Sequence, residues 1–310
     1  MELRRARLVE PDGPRRAPHR QGRDRPPDLG GRQHLAERVH PATLPRRRGD
    51  DRTSFGDRWA WYVSPGRWKL DAQRARGSDP GTLAGALRGV RRAYLILPQG
   101  TTRPATRIGE FLDAAAGTGL RRVVLLSAYG VDGAEGSGLR EAEKLVEGSA
   151  LDWTILRPNW FLQNFSAGFF LPPILAAGTV PVPAGDGAVS FVDTRDIAAI
   201  AAEALTADGH AGRGYPITGP AAVTFADAAA AISAAAGRPV RYVATDPAET
   251  RAALLAGGVS AEYADLLLLL YAGIRAGHSA PVTDTVERLL GRPARDLAAF
   301  AAEHAATWRG

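Results

Sequence analysis

Residues 150–165 read ALDWTILRPNWFLQNF, and this stretch decides the fold. Its apolar run Trp153–Leu156 is short and continuous, which is typical of a strand that is buried on both faces of a parallel sheet. The Arg157-Pro158 pair predicts the end of that strand, because proline donates no hydrogen bond to a ladder. Polar and aromatic residues follow at once, so the stretch predicts a strand that opens directly onto a binding site.

Two further buried strands are predicted upstream, and helices separate them. Ala93–Leu97 (AYLIL) and Val123–Leu126 (VVLL) are apolar runs of strand length. The predicted helices, recognised by apolar residues at helical spacing, begin at Asp79-Pro80, include Ile108 to Ala115, and cover Leu139–Glu147. This alternation predicts an α/β fold with a doubly wound parallel sheet and helices on both of its faces.

The carboxyl ends of the strands are the expected ligand site, because ligands of such sheets bind there. The segments at these ends are Leu97-Pro98, Ser127-Ala128-Tyr129 and Pro158-Asn159, the last continuing into Trp160-Phe161. Each residue also has a purely structural interpretation. Ser127 is equally typical of a turn or helix cap, and large aromatic residues more often pack in a core than contact a ligand.

The composition excludes several classes of protein. The 310 residues include no cysteine, so disulfides, thiolate metal sites and cysteine nucleophiles are excluded. The six histidines are scattered without metal-ligand spacing, so we predict no metal site. The most apolar run, Leu266–Tyr271, is too short to span a membrane, and no apolar segment of a secretory signal is found. These features fit a cytoplasmic protein.

Residues 1–78 differ in character from the rest of the chain. Residues 1–50 hold 13 arginines against 7 acidic residues, which accounts for the whole formal net charge of +6. Prolines interrupt this segment, and no apolar run before Trp59 is long enough for a buried strand. We predict that residues 1–50 are poorly packed. An arm that binds nucleic acid is disfavoured, because acidic residues are interleaved and no aromatic residue precedes Phe55.

From residue 79 onward the chain resembles a known family. The stretches 79–98 (DPGTLAGALRGVRRAYLILP), 120–129 (LRRVVLLSAY) and 150–165 resemble NmrA-like proteins, in particular the ergot-alkaloid-biosynthesis-like subgroup. These proteins belong to the atypical short-chain dehydrogenase/reductases. Residues 190–199 (SFVDTRDIAA) and 214–220 (GYPITGP) fit the same family.

The resemblance implies a Rossmann-like core in residues 79–310 that binds NADP or NAD. Residues 160–310 would contribute a small, mainly helical region that caps the substrate. The implied cofactor contacts are Leu97, Pro98, Ser127, Ala128, Pro158 and Asn159. The implied substrate contacts are Trp160, Phe161 and Asn164, and the proton donor is either Tyr129 or a water molecule.

Two functions remain open under this resemblance. Many members are NAD(P)-dependent oxidoreductases that reduce small aromatic or conjugated compounds, such as quinones, azo dyes and iminium-type intermediates. The founding members are regulators that bind the nucleotide without turnover, and a regulator of this kind would require a protein partner. Neither function involves a membrane.

Two features of the wider family are missing here. The family opens with a strand and a G-x-x-G-x-x-G turn, whose glycines let the backbone approach a pyrophosphate. The most similar segment contains Gly30-Gly31, but no apolar strand precedes it. The N-terminal strands of the family are therefore predicted to be degraded or missing in this chain. The cause would be either a shift of the reading frame in the coding sequence upstream of Ser78 or genuine divergence of this segment. The Tyr-x-x-x-Lys pair is also missing, since its two places fall near Glu135 and Leu139. A cofactor-defective pseudo-enzyme is thus a third possible function.

Overall fold

The structure, a computed structural model, describes residues 62–63, 80–98 and 100–309. The predictions made for residues 1–50, for the Gly30-Gly31 trace and for the boundary at residue 78 lie outside these residues.

A five-stranded sheet forms the core of the described part, in the order β1-β2-β3-β4-β7. The strands are β1 (Tyr62–Val63), β2 (Arg92–Ile96), β3 (Arg122–Leu126), β4 (Asp152–Pro158) and β7 (Arg213–Ile217). The pairs from β2 to β7 are parallel, whereas the two-residue β1 pairs antiparallel with the outer edge of β2. The parallel sheet predicted from the alternating pattern is confirmed.

Helices cover both faces of this sheet, as predicted. Side chains of successive strand residues point to opposite faces, so Val123 and Leu125 pack on one side while Val124 packs on the other. The first face is covered by α1 (Pro80–Ala86), α2 (Pro104–Ala115) and α3 (Gly138–Glu147). The second face is covered by α5 (Thr194–Thr206) and α9 (Thr285–Leu290).

Strand β4 is longer than the sequence indicated. Arg157-Pro158 was predicted to end the strand, but both residues belong to it and pair with Pro216 and Ile217 of β7. The missing N–H of Pro158 is tolerated because it stands at the last position of the strand. A single 3-10 turn, Leu162–Phe165, follows this strand.

The second half of the chain builds a separate apolar cluster in the region that is predicted to cap the substrate. Two small sheets belong to it: β5 (Thr179–Val182) with β9 (Arg241–Ala244), and β6 (Ala188–Val189) with β8 (Val223–Thr224). Its helices are α4 (Leu171–Ala177), α6 (Phe225–Ala236), α7 (Pro247–Ala256), α8 (Ala261–Arg275) and α10 (Leu297–His304). Phe165, Phe225 and Trp308 lie fully buried at its centre.

No helix within the described residues is both long and apolar enough to cross a membrane.

The end of β7 depends on a glycine for close packing. A side chain at Gly219 would overlap the carbonyl oxygen of Phe191. We expect Gly219→Ala to lower the free energy of unfolding by about 1–3 kcal/mol, the usual cost of overpacking. Gly109→Ala is the matched control, because Gly109 lies inside α2 with open space around it. That change is expected to stabilise by about 0.5–1 kcal/mol. Equal urea midpoints for the two variants would contradict the packing described here.

Candidate functional site

The three predicted segments lie side by side at one edge of the sheet. Backbone hydrogen bonds continue past the strands, from Ser127 N–H to Leu156 O at 2.7 Å and from Tyr129 N–H to Pro158 O at 3.0 Å. Asn159 N–H donates to Ile217 O at 2.9 Å, which adds the end of β7 to the group. The prediction that the carboxyl ends of these parallel strands lie next to one another is therefore confirmed.

The side chain of Ser127 is a buried hydroxyl that has no hydrogen-bond partner in the described residues. The residue is 8% exposed, and its Oγ makes no hydrogen bond of normal geometry within the described residues. Buried polar atoms are nearly always paired, so an unsatisfied hydroxyl at a strand end indicates a place for a ligand group.

Glu143 and Arg157 form a buried ion pair between α3 and β4. Arg157 Nε and Nη2 donate to the two carboxylate oxygens of Glu143 at 2.9 and 2.8 Å. Arg140 Nη1 donates to the same carboxylate at 2.9 Å. Burial alone would raise the pKa of Glu143, but the hydrogen bonds and charge of Arg157 outweigh it and the pKa is lowered. Glu143 is therefore ionised near neutral pH and accepts hydrogen bonds without donating any.

Because the pKa of Glu143 is lowered, the free energy of unfolding should depend on pH in the acidic range. A carboxyl group with a folded-state pKa below its ordinary value of 4.5 stabilises the fold above that pH, and this contribution is lost as the pH falls through the folded-state pKa. We expect the free energy of unfolding to decrease below about pH 4.5. Glu143→Gln should flatten that decrease, as followed by urea unfolding at several acidic pH values. An unchanged slope in this variant would show that Glu143 is not ionised in the folded state.

Asn159 fixes the strand end through its side chain. Its Nδ2 donates to Ser190 Oγ and to Ser279 O, both at 2.8 Å, and its Oδ1 accepts from Trp160 N–H at 2.9 Å. The amide is thus occupied within the protein. The hydrogens of the Asn159 amide and of its backbone N–H are used within the protein, so the predicted cofactor contact would be made by its oxygen atoms.

At the other predicted cofactor residues, mainly backbone atoms lie at this edge of the sheet. Leu97 packs its side chain against the apolar cluster under α2. Pro98 O accepts hydrogen bonds from the N–H and the hydroxyl of Thr101. Ala128 O accepts from Val131 N–H at 3.3 Å. Tyr129 is half-buried, and its side chain remains the candidate proton donor.

Trp160 belongs to an aromatic group beside the strand ends. Its ring stacks on Tyr271 of α8, with centroids 5.3 Å apart and 24° between the planes, and it meets Phe169 edge to face at 6.4 Å. Phe161 does not join this group but packs against the cluster under α5. Asn164 is half-buried in the turn that follows, where its carbonyl accepts from Phe170 N–H.

Helix α8 also approaches the loop that follows β2. A side chain at Gly100 would lie 3.8 Å from the ring of Tyr263. Tyr263 and Tyr271 stand two turns apart on the same helix. Helix α8 therefore lies close to the loop after β2 and contacts Trp160 after β4.

The described residues fit one end of a dinucleotide. The unsatisfied hydroxyl of Ser127 fits the polar groups of a nicotinamide and its ribose. A dinucleotide also needs a crevice where the order of strands reverses and a glycine turn for the phosphates. Strands β2, β3, β4 and β7 follow one another in a single direction. Neither this reversal nor such a glycine turn is found in the described residues. These residues therefore do not provide a site for the phosphates of the dinucleotide.

No cluster of three or more His, Asp and Glu residues suited to a metal ion is found in the described part of the chain.

Comparison with known proteins places the chain in a family. A family model described as NAD(P)H-binding matches residues 68–208. The NAD(P)H azoreductase of Xenophilus azovorans is 38% identical over 234 residues, which cover 74% of this chain and 81% of that protein. The NADPH complex of quinone oxidoreductase 2 from Escherichia coli is 28% identical, with a TM-score of 0.65, and the match covers 74% of this chain and 81% of that one.

A more distant structure shares the fold alone. NmrA, a negative transcriptional regulator solved with NAD, has a TM-score of 0.53 at 17% identity, and the match covers 72% of this chain and 76% of that one.

The chain belongs to the NmrA-like, atypical short-chain dehydrogenase/reductase family of NAD(P)H-binding proteins. Within that family it is an NAD(P)-dependent oxidoreductase, as predicted from the resemblance.

Sequence reasoning missed several residues of the site. Glu143 and Arg157 gave a signal, because each places a charge on a buried position, Glu143 beside Ala142 and Val146 on α3 and Arg157 inside β4. Tyr271 stood out only as the last residue of an apolar run. Its ring stacks on Trp160, which lies 111 positions earlier in the sequence, and no local sequence pattern reveals a contact over that separation.

Proposed function

We propose that this oxidoreductase reduces a planar, conjugated small molecule, of which a quinone is the simplest case. The observation that carries this proposal is the stack of Trp160 on Tyr271 beside the strand ends. Trp160 is half-buried, whereas its partner Tyr271 is buried. Flat aromatic faces favour flat conjugated ligands, which stack on them.

The roles of the surrounding residues follow from their positions. A reduced nicotinamide supplies the hydride when it is bound. Ser127 and the backbone at Pro98, Ala128, Pro158 and Asn159 would hold that end of the cofactor. Tyr129, or a water molecule beside it, would give a proton to the reduced substrate. The relatives named for azo dye and quinone reduction support this class of substrate.

The test is the oxidation of NADPH by a naphthoquinone. Trp160→Ala should raise KM for the quinone about 3- to 10-fold, since an aromatic contact contributes roughly 0.5–1.5 kcal/mol. Trp153→Ala is the matched control, because Trp153 lies near the start of β4, whereas Trp160 follows the end of that strand. It should leave KM for the quinone unchanged. Equal effects of the two changes would remove Trp160 from the substrate site.

A regulator without turnover is the alternative that the resemblance leaves open. Such a protein would bind nicotinamide nucleotide and transmit its redox state to a protein partner. A chain that binds NADPH but oxidises none in the presence of quinones, azo dyes or triphenylmethane dyes would support this alternative.

A further inference from the structure

Helix α8 carries a stripe of leucines on its solvent side. Leu266, Leu269 and Leu270 occupy positions i, i+3 and i+4, which share one face of a helix. Their exposed fractions are 43%, 68% and 42%, whereas Leu267 and Tyr271 of the same helix are buried in the apolar cluster of the second half of the chain. We call the three exposed leucines the leucine face. A contiguous exposed apolar surface of this kind marks an interaction site.

Helix α7 lies along α8 and widens this surface. Arg251 Nε of α7 donates to Asp265 Oδ1 of α8 at 2.6 Å, which holds the two helices side by side. None of the residues of α7 is buried, and Leu255 is 37% exposed. The outer side of the two helices is therefore available as one continuous surface.

The charges near the leucine face indicate which partner it fits. Glu262 and Asp265 of α8 are acidic, and the two arginines of these helices are engaged, Arg251 with Asp265 and Arg275 with Pro183 O. Helices that lie on membranes carry many Lys and Arg residues on their polar face, so an anionic lipid surface is disfavoured. The leucines themselves carry no charge, so the same face of a second copy can cover them without like-charge repulsion.

An antiparallel pair of α8 helices satisfies the symmetry of such a contact. A two-fold interface requires that residue i of one copy meets residue j of the other and that j meets i. With the axis near Leu268, Leu266 of each copy meets Leu270 of the other, and Leu269 lies close to the axis. The two Glu262 side chains are then about 18 Å apart along the helices, farther than the Debye length of about 8 Å at physiological salt.

The size of the surface predicts a weak dimer. Helix α8 has 15 residues and is therefore about 22 Å long. With α7 beside it at a helix spacing of about 10 Å, the surface measures about 20 by 20 Å, or roughly 800 Å² over two copies. Specific dimers of ordinary size bury about 1,200–2,000 Å², so we expect a Kd of about 10–100 µM. At about 1 µM, where unfolding is measured, the chain would be a monomer.

We propose that the leucine face is the contact surface of a homodimer, in which α8 of one copy packs antiparallel on α8 of a second copy. The dimer covers the outside of the same helix whose Tyr271 stacks on Trp160. The inference goes beyond the proposed function and does not depend on which substrate is reduced.

The test is sedimentation velocity of the full chain at increasing concentration. The unaltered chain should pass from monomer to dimer between about 1 and 300 µM. Leu266→Glu should weaken the association at least about tenfold, because a carboxylate of each copy would be buried without a partner. Leu145→Glu is the matched control, because Leu145 of α3 is also 43% exposed but lies outside the leucine face. It should leave the association unchanged.

Hydrogen exchange locates the contact without any substitution. The amides of α8 should become more protected as the concentration of the unaltered chain rises, and those of Leu266→Glu should not. Should Leu266→Glu not fold, Leu269→Ala replaces it, and it is expected to weaken the association about 3- to 10-fold.

Four results would overturn the proposal. They are a monomer at every concentration, a dimer that persists in the folded leucine variants, an equal loss of association in Leu145→Glu, and binding of the monomer to vesicles of phosphatidylglycerol through these leucines. A chain that reduces no quinone would disprove the proposed function and leave this inference standing, because association is measured apart from turnover.

Discussion

Titration calorimetry of the full chain with NADPH is expected to show weak binding, several orders of magnitude below that of a complete dinucleotide site. The described residues offer groups for the nicotinamide end but no glycine turn for the pyrophosphate. Each charge-assisted hydrogen bond lost there costs roughly 1.5–3 kcal/mol, and every 1.4 kcal/mol changes the dissociation constant about tenfold.

The matched variant replaces residues 1–78 with the corresponding segment of the Escherichia coli quinone oxidoreductase 2, to which the chain is similar. This segment restores the strand and glycine turn with which the family opens, and the variant is expected to bind NADPH in the micromolar range. Tight binding by the unaltered chain would show instead that Gly30-Gly31, or another segment, supplies the phosphate cradle.

Trp308→Ala is expected to have the largest effect on stability. Trp308 is 0% exposed, its Nε1 donates to Phe165 O at 2.8 Å, and its own carbonyl accepts from Arg238 Nε at 2.6 Å. It therefore ties the end of the chain to the turn that follows Trp160. Removal of a buried tryptophan costs about 3–5 kcal/mol, which urea unfolding would detect.

The control for Trp308→Ala is Leu269→Ala on α8. Leu269 is 68% exposed, so its loss should change the free energy of unfolding by no more than about 0.5 kcal/mol. Similar unfolding midpoints for the two variants would show that Trp308 does not hold the capping region together.

The sheet could be predicted from sequence because its strands obey a local rule. Runs such as Val123–Leu126 are apolar at every position, as burial on both faces requires, and the structure extends this strand by one residue only. The location of the site followed from topology. Once the strands are parallel, their ends share one edge, and Ser127 and Asn159 are brought there by backbone pairing.

The details of the site could not be predicted in the same way, because they depend on contacts between distant residues. Asn159 carries an amide that could bind a ligand, but Ser190 and Ser279 occupy it. Glu143 lies beside the apolar positions of α3, but only its contact with Arg157 explains a charge there. Phe161 and Trp160 are neighbours in sequence, yet they pack into different clusters.

Saturation-transfer NMR of NADPH with the full chain tests the central claim most directly, namely that the ends of β2, β3 and β4 form the nicotinamide end of the cofactor site. The nicotinamide protons should receive more saturation than the adenine protons, and Ser127→Leu should abolish that difference by filling the site. Stronger saturation of the adenine protons, or an unchanged pattern in Ser127→Leu, would contradict the account.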